Sequence, residues 1–110
     1  MDCIFCKIAA GEIPSRKVYE DDQVLGFYDI EPAAPVHMLF IPKAHLAGCG
    51  EITPENSAVV SHIFEVIAKV TAEMGIAEYR VVTNNGKSAG QSVFHLHFHV
   101  LSGKTLKGMC

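Results

Sequence analysis

The 110-residue chain has no apolar run approaching the roughly 18 residues that a membrane-spanning helix needs, so no membrane partner is expected. Its first residues, Met1-Asp2-Cys3, lack the basic-then-apolar order of a secretory leader, and a cytoplasmic location is the expectation. Surplus positive charge is missing too. A net charge of -3 with neutral histidines argues against an electrostatic grip on duplex nucleic acid, while a small anionic ligand needs only a few local donors. The chain has no Gly-Lys-Ser/Thr ending of a Walker phosphate loop. Repeats, low-complexity tracts and breaks in composition are absent, which leaves local periodicity as the signal. Cysteine is sparse. Of the four, Cys3 and Cys6 are too close to close a useful loop by bridging each other, and in a reducing compartment they read as metal ligands or redox thiols. Cys49 and Cys110 carry no assigned role.

What is present is enough apolar residue for one core, 49% of the chain, and residues 1–110 read as a single domain. Residues 5–10 predict a short helix stopped by Gly11. Residues 17–20 and 24–28 are β-prone runs around Asp21-Asp22, which predicts a hairpin. Residues 36–41 are apolar on both faces apart from His37, as in a central strand, here ended by Pro42. Thr53 as N-cap, Pro54 at the first helical position and Gly75 as the stop bound a long helix. Val60, Ile63, Phe64, Ile67, Val70 and Met74 form its apolar stripe, with His62 to one side. At 21 residues it would be about 31 Å long, enough to meet a second subunit as well as the sheet. Residues 79–83 and 93–101 predict the last strands, joined by a polar loop containing Gly86, Gly90, Gln91 and Ser92. The sum is an α+β domain with a mainly antiparallel sheet of about five strands, one long helix and one short one.

The last strand carries the chemistry. Side chains alternate along a strand, so Phe94, Leu96, Phe98 and Val100 take the core face and His95, His97, His99 and Leu101 the other. A lone strand histidine is more often a packed or surface residue, whereas imidazoles in strict alternation are hard to explain as packing. Two chemistries compete: a catalytic zinc site, which His37 could complete, and metal-free nucleophilic and acid-base work at phosphorus. The glycine-containing loop before the strand favours the second, because flexible backbone and short donors suit an anionic oxygen. Mutual repulsion helps there, since neighbouring histidines do not all protonate together.

His95-Leu96-His97-Phe98-His99-Val100-Leu101 resembles the H-x-H-x-H-x-x signature of the histidine triad (HIT) family, with apolar x. Cys3-Ile4-Phe5-Cys6-Lys7-Ile8, Gly11-Glu12-Ile13-Pro14, Phe27-Tyr28-Asp29-Ile30, Pro35-Val36-His37, Ile41-Pro42-Lys43-Ala44-His45 and Gly90-Gln91-Ser92-Val93 resemble its Hint-like branch in order and spacing. The resemblance implies the HIT fold and a phosphoramidase that cleaves purine nucleoside 5'-phosphoramidates or related nucleotide esters through a nucleotidyl-histidine on His97. It further implies His99 on the phosphate oxygens, Ser92 near the phosphate and leaving group, and His37 in the proton network. Asp29 would meet the ribose hydroxyls and Asn84 the sugar and phosphate, beside the loop Gly90, Gln91, Ser92 and Val93. Ile4, Phe5, Ile8, Phe27 and Ile30 would line the purine pocket. Relatives with this Cys-x-x-Cys imply a structural zinc on Cys3, Cys6, His45 and His95, and the family implies a homodimer. The chain departs from many relatives in having a short tail, residues 104–110, and no tryptophan, which bears on the leaving group. Alternatives are a dinucleoside polyphosphate hydrolase, a nucleotide-binding regulatory protein with vestigial catalysis, and a catalytic metalloenzyme.

Overall fold

The computed structural model describes residues 3–108; Cys110 lies outside them. Helix α1 spans Ile4–Ala9, with the Cys3 sulfur accepting the Cys6 backbone N–H as its cap. Strands β1 (Lys17–Glu20) and β2 (Val24–Tyr28) form the expected hairpin, and β3 spans Val36–Pro42. Helix α2 covers Ala58–Glu73, followed by β4 (Arg80–Val82) and β5 (Phe98–Ser102). The sheet order is β1-β2-β3-β5-β4, and every neighbouring pair is antiparallel.

The two faces of the sheet have different tasks. Val24, Met38, Phe40, Leu96, Phe98 and Val100 pack against Ile63, Val66, Ile67 and Val70 of α2, forming the larger core. Leu25, Phe27, Leu39 and Ile41 point the other way and bury Cys3, Phe5 and Ile8 of the N-terminal segment. Alternation along β3 and β5 places His37 and His99 on this second face, with Leu39 opposite His99 and His37 opposite Leu101. The sheet therefore has its catalytic candidates on the side covered only by the short helix.

Several sequence expectations need correction. The long helix begins after Ser57, not after Thr53, and its 16 residues make it about 24 Å long. Residues 53–57 form a separate turn: Asn56 Oδ1 accepts the Thr53 N–H at 2.8 Å, and Thr53 Oγ1 accepts that of Glu55 at 3.3 Å. These local bonds compete with helix formation. Phe64 and Met74, placed on the stripe, are 48% and 42% exposed. Val66 and Thr71 are buried in their stead, the Thr71 hydroxyl satisfied by the Ile67 carbonyl at 2.7 Å. The stop at Gly75 holds. Its φ of +74° lets Ile76 N–H reach the Thr71 carbonyl and Gly75 N–H that of Ala72, closing the helix end.

The last strand is also shorter than residues 93–101. Pairing with β3 ends at Phe40 and Phe98, and the Leu96 N–H goes instead to the Leu46 carbonyl at 2.6 Å. Phe94, expected in the core, is half exposed. Only His99 of the histidine row lies on regular strand; His95 and His97 precede it. Among the described residues no helix is long and apolar enough to cross a membrane.

Candidate functional site

The histidines divide into two groups, and their hydrogen-bond partners tell what each can do. His97 is buried, with Nδ1 2.7 Å from the His95 carbonyl oxygen. A carbonyl only accepts, so Nδ1 carries the proton and Nε2 has a free lone pair. The edge of Phe5 meets the His97 ring at a centroid distance of 5.1 Å, and the His99 ring lies 4.9 Å away.

His99 has the opposite tautomer. The Ala33 N–H donates to His37 Nδ1 at 3.0 Å, which puts the proton of neutral His37 on Nε2. That proton points to His99 Nδ1 at 2.9 Å, leaving His99 with its own proton on Nε2. Asp29 Oδ2 stands 3.4 Å from His37 Nε2, while Asp29 Oδ1 accepts the Glu31 N–H at 2.8 Å. Burial lowers the His37 pKa against the pull of Asp29. Burial, then His97 and His37, push His99 down to about 4. Both rings are thus neutral near pH 7. The site pairs a bare imidazole nitrogen with a neighbouring N–H donor that His37 orients, as nucleophilic attack on an oxyanion-bearing centre requires.

Asp29, His37 and His99 lie close enough to hold a cation, yet the Ala33 N–H occupies one lone pair of His37 and thereby protonates the nitrogen a metal would need. The second cluster is the reverse case. Cys3, Cys6, His45 and His95 bring their donor atoms within 4.8 Å of one another. His95 Nδ1 is 3.3 Å from Cys3 Sγ, 3.4 Å from Cys6 Sγ and 3.2 Å from His45 Nδ1, and Cys6 Sγ is 3.2 Å from His45 Nδ1. Bonds of about 2.3 Å to sulfur and 2.0 Å to nitrogen at tetrahedral angles put donors roughly 3.3–3.8 Å apart. His95 Nε2 donates to the Pro42 carbonyl at 2.7 Å, so its Nδ1 lone pair faces the cluster, the usual orientation of a metal-ligating histidine. These four residues fit a metal ion.

The loop residues are placed with less uniformity. Gln91 is buried and its side chain is committed: Nε2 donates to the carbonyls of Ala47 and Val93, and Oε1 accepts the Gly86 N–H. It shapes the loop from within. Ser92 is exposed, Val93 and Asn84 are half-buried, and Gly90 has the left-handed φ of +101° with Asn84 beside it. Phe5, Ile8 and Phe27 come together in the core under α1, whereas Ile4 is 49% and Ile30 94% exposed. A separate groove of about 780 Å³ lies at the end of the sheet where β3 and β4 begin and β5 finishes, lined by Val36, Glu78, Arg80, Ser102 and Lys104 among others, and contains none of the histidines.

Sequence reasoning missed the supports. The backbone groups of Ala33, Pro42 and Leu46 carry no sequence label, although the turn-rich Glu31-Pro32-Ala33-Ala34-Pro35 ahead of His37 hinted at a tight local return. Thr83, in sequence only the last residue of a predicted strand, donates its hydroxyl to the His97 carbonyl at 2.8 Å. His62, set beside the apolar stripe, instead binds Asp21 at 2.6 Å and ties α2 to the β1-β2 turn.

Residues 2–109 match the family model described as "Scavenger mRNA decapping enzyme C-term binding". The chain is 48% identical to an uncharacterized HIT-like protein of Synechocystis over 104 residues, 94% of this chain and 91% of that protein. Among solved structures, a HIT family hydrolase from Clostridium thermocellum superposes with a TM-score of 0.94 at 46% identity, covering 98% of this chain and 96% of that one. A histidine triad nucleotide-binding protein from Candida albicans superposes at 0.83 with 35% identity, over 99% of this chain and 87% of that one.

Proposed function

The chain belongs to the histidine triad family, and on that premise we propose that it hydrolyses purine nucleoside 5'-phosphoramidates or related nucleotide esters through a nucleotidyl-histidine on His97. The observation that carries this is the opposition of tautomers: Nε2 of His97 is a bare lone pair, and Nε2 of His99 is a donor beside it. His97 Nε2 attacks the α-phosphorus and the bond from phosphorus to the amine breaks. The amine takes up a proton from solvent water as it leaves, while the Nε2–H of His99, oriented by His37, stays on the phosphoryl oxygen. A water then attacks phosphorus and gives its proton back to solvent, the bond to His97 breaks, and the nucleoside monophosphate is released. His99 holds the phosphoryl oxygens during both displacements, with Ser92 and the Gly90-Gln91 backbone at the phosphate and leaving group.

Asp29 accepts from the ribose hydroxyls, and Asn84 approaches the sugar and phosphate. The purine packs on the apolar side under α1, where Phe5, Ile8 and Phe27 form the floor. Ile4 and Ile30, left in solvent by the fold, close over the base. Cys3, Cys6, His45 and His95 would hold a structural zinc, a closed four-ligand ion that offers no position to a water and ties the N-terminal segment to the sheet. A homodimer is favoured by the open edge of β4 and by Phe64, Met74 and Tyr79, which stand 48%, 42% and 37% exposed.

The test is mass spectrometry of enzyme quenched with an adenosine phosphoramidate, which is expected to show a nucleotidyl group on His97. His97→Ala should fold normally and lose turnover. Wild-type turnover by that variant would end the assignment. Assaying a dinucleoside polyphosphate on the same preparation separates the two hydrolase classes.

A further inference from the structure

The tautomer of His97 depends on one carbonyl oxygen, and no sheet ladder holds that carbonyl. Because β5 starts at Phe98, the peptide joining His95 to Leu96 lies outside regular structure. Its N–H is bound by the Leu46 carbonyl at 2.6 Å, and its oxygen accepts His97 Nδ1–H at 2.7 Å. Both ends of this link adjoin the Cys/His cluster. Leu46 follows His45 and Leu96 follows His95, and the rings of those two histidines face each other with 3.2 Å between their Nδ1 atoms. The third strut is Phe5. Its neighbours on the cluster, Cys3 and Cys6, bracket it in sequence, and its ring meets His97 edge-on with an interplanar angle of 89°.

We infer that the Cys3/Cys6/His45/His95 cluster is a positioning device for the nucleophile, with Leu46 and Phe5 as the residues through which it acts. The inference rests on the reading of His97 as the attacking group. When the four donors are gathered, the His95 carbonyl and the Phe5 ring hold His97 with its proton on Nδ1 and its Nε2 bare. When they separate, the carbonyl turns with the His95 ring and His97 samples the tautomer protonated on Nε2, which cannot attack phosphorus. Two sulfurs and two imidazole lone pairs this close repel one another unless a cation or proton lies among them, so cluster occupancy and nucleophile geometry are coupled. A device of this kind acts on the chemical step. Substrate contacts made by Asp29 and the loop are untouched, so kcat changes and KM does not.

The experiment uses the full chain labelled with nitrogen-15 in histidine, its ring tautomers read by NMR, beside steady-state kinetics. Zinc-loaded wild type is expected to show a single Nδ1-protonated His97. Cys6→Ser should show mixed tautomers on His97 and at least a tenfold lower kcat, with KM within about twofold. His45→Cys, which keeps four zinc-competent donors, should retain the single tautomer and most of kcat. Phe5→Leu, which keeps every ligand, should show mixed His97 tautomers in the substrate-free protein, and decides the matter if Cys6→Ser fails to fold. A folded Cys6→Ser protein with the wild-type tautomer and kcat overturns the inference, as does a substrate-free Phe5→Leu protein that keeps the single Nδ1-protonated His97. If wild type turns over no nucleotide substrate, the proposed function fails by itself, and the tautomer measurement still decides the positioning role.

Discussion

Replacing Gly26 by alanine would put a methyl group where the sheet has no room for it. A Cβ at this position would lie 2.6 Å from Phe40 Cε1, 2.8 Å from Phe40 Cδ1 and 3.1 Å from Val18 Cγ2. Carbon atoms settle at about 3.5–4.0 Å, so the Phe40 ring would have to retreat by roughly 1 Å. It has nowhere easy to go, since Phe40 pairs directly with Gly26, is fully buried and packs in the core that includes Ile63, Ile67 and Leu96. Overpacking of this kind costs about 1–3 kcal/mol. Against it stands a gain of about 0.4–1 kcal/mol, because alanine has fewer unfolded conformations than glycine. The midpoints leave a net loss of about 1.3 kcal/mol, or roughly 5–6 °C in Tm for a domain of this size. Urea unfolding followed by circular dichroism should show a lower midpoint with an unchanged slope. Phe40→Leu, destabilising alone, should relieve the clash, so the double variant is expected to be more stable than the two single effects sum to. A neutral Gly26→Ala, or strict additivity with Phe40→Leu, would refute the steric account.

His37→Phe keeps a flat ring but removes the link between Ala33 and His99; turnover should fall about 10²- to 10⁴-fold, or about 3–5 kcal/mol of barrier. A drop of less than tenfold in stopped-flow assays would exclude a part for His37 in orienting the His99 donor. The Asp21 and His62 pair adds a pH-dependent clasp. The Asp21 hydrogen bond raises the His62 pKa above 6.5, so this contribution is present below that pH and is lost as pH rises through the folded value. Burial raises the Asp21 pKa, but hydrogen bonds led by His62 outweigh it and hold the group well below 3.8; its contribution is present above that pH and is lost in stronger acid. The Tm difference between wild type and His62→Gln should therefore be greatest between about pH 4 and 6.5 and disappear in alkali; a difference that stays constant from pH 4 into alkali would contradict the ion pair. Strong chelation should lower Tm by about 10 °C if zinc had been at a hundredfold excess over its Kd, and readdition should restore it. No change in thermal scans would count against a structural metal at Cys3, Cys6, His45 and His95.

The parts of the fold legible in the sequence are those with strong local punctuation. The β1-β2 hairpin has the predicted bounds because Asp21, whose carboxylate accepts the N–H groups of Gln23 and Val24, makes the turn by itself. The stop of α2 at Gly75 is similarly local. The start of α2 was misread because Thr53 and Asn56 are good caps and equally good turn formers, and the bond from Asn56 Nδ2 to the Glu51 carbonyl decides between them. The length of β5 was misread for another reason. Alternation from Leu96 onward looks like strand throughout, but the Leu96 N–H and the Pro42 carbonyl are bound by the Leu46 carbonyl and the His95 ring, so the ladder stops.

The sequence by itself determined the residue types and their alternation: imidazoles on one side of a short segment, apolar residues on the other, and a Cys-x-x-Cys ahead of them. Side-chain period and chemical identity are local properties, and they need no partner to be read. Only the tertiary structure decided what each imidazole does. A histidine has two nitrogens, and the one that bears the proton is set by whatever faces the other: a carbonyl for His97, the His37 N–H for His99, and the Pro42 carbonyl for His95. Those partners come from β3 for His99 and His95 and from the peptide two residues earlier for His97. The meetings of His99 and His95 with their partners depend on long-range pairing, so the row divides into a bare imidazole nitrogen, an N–H donor and a member of the Cys/His cluster only once the chain has folded.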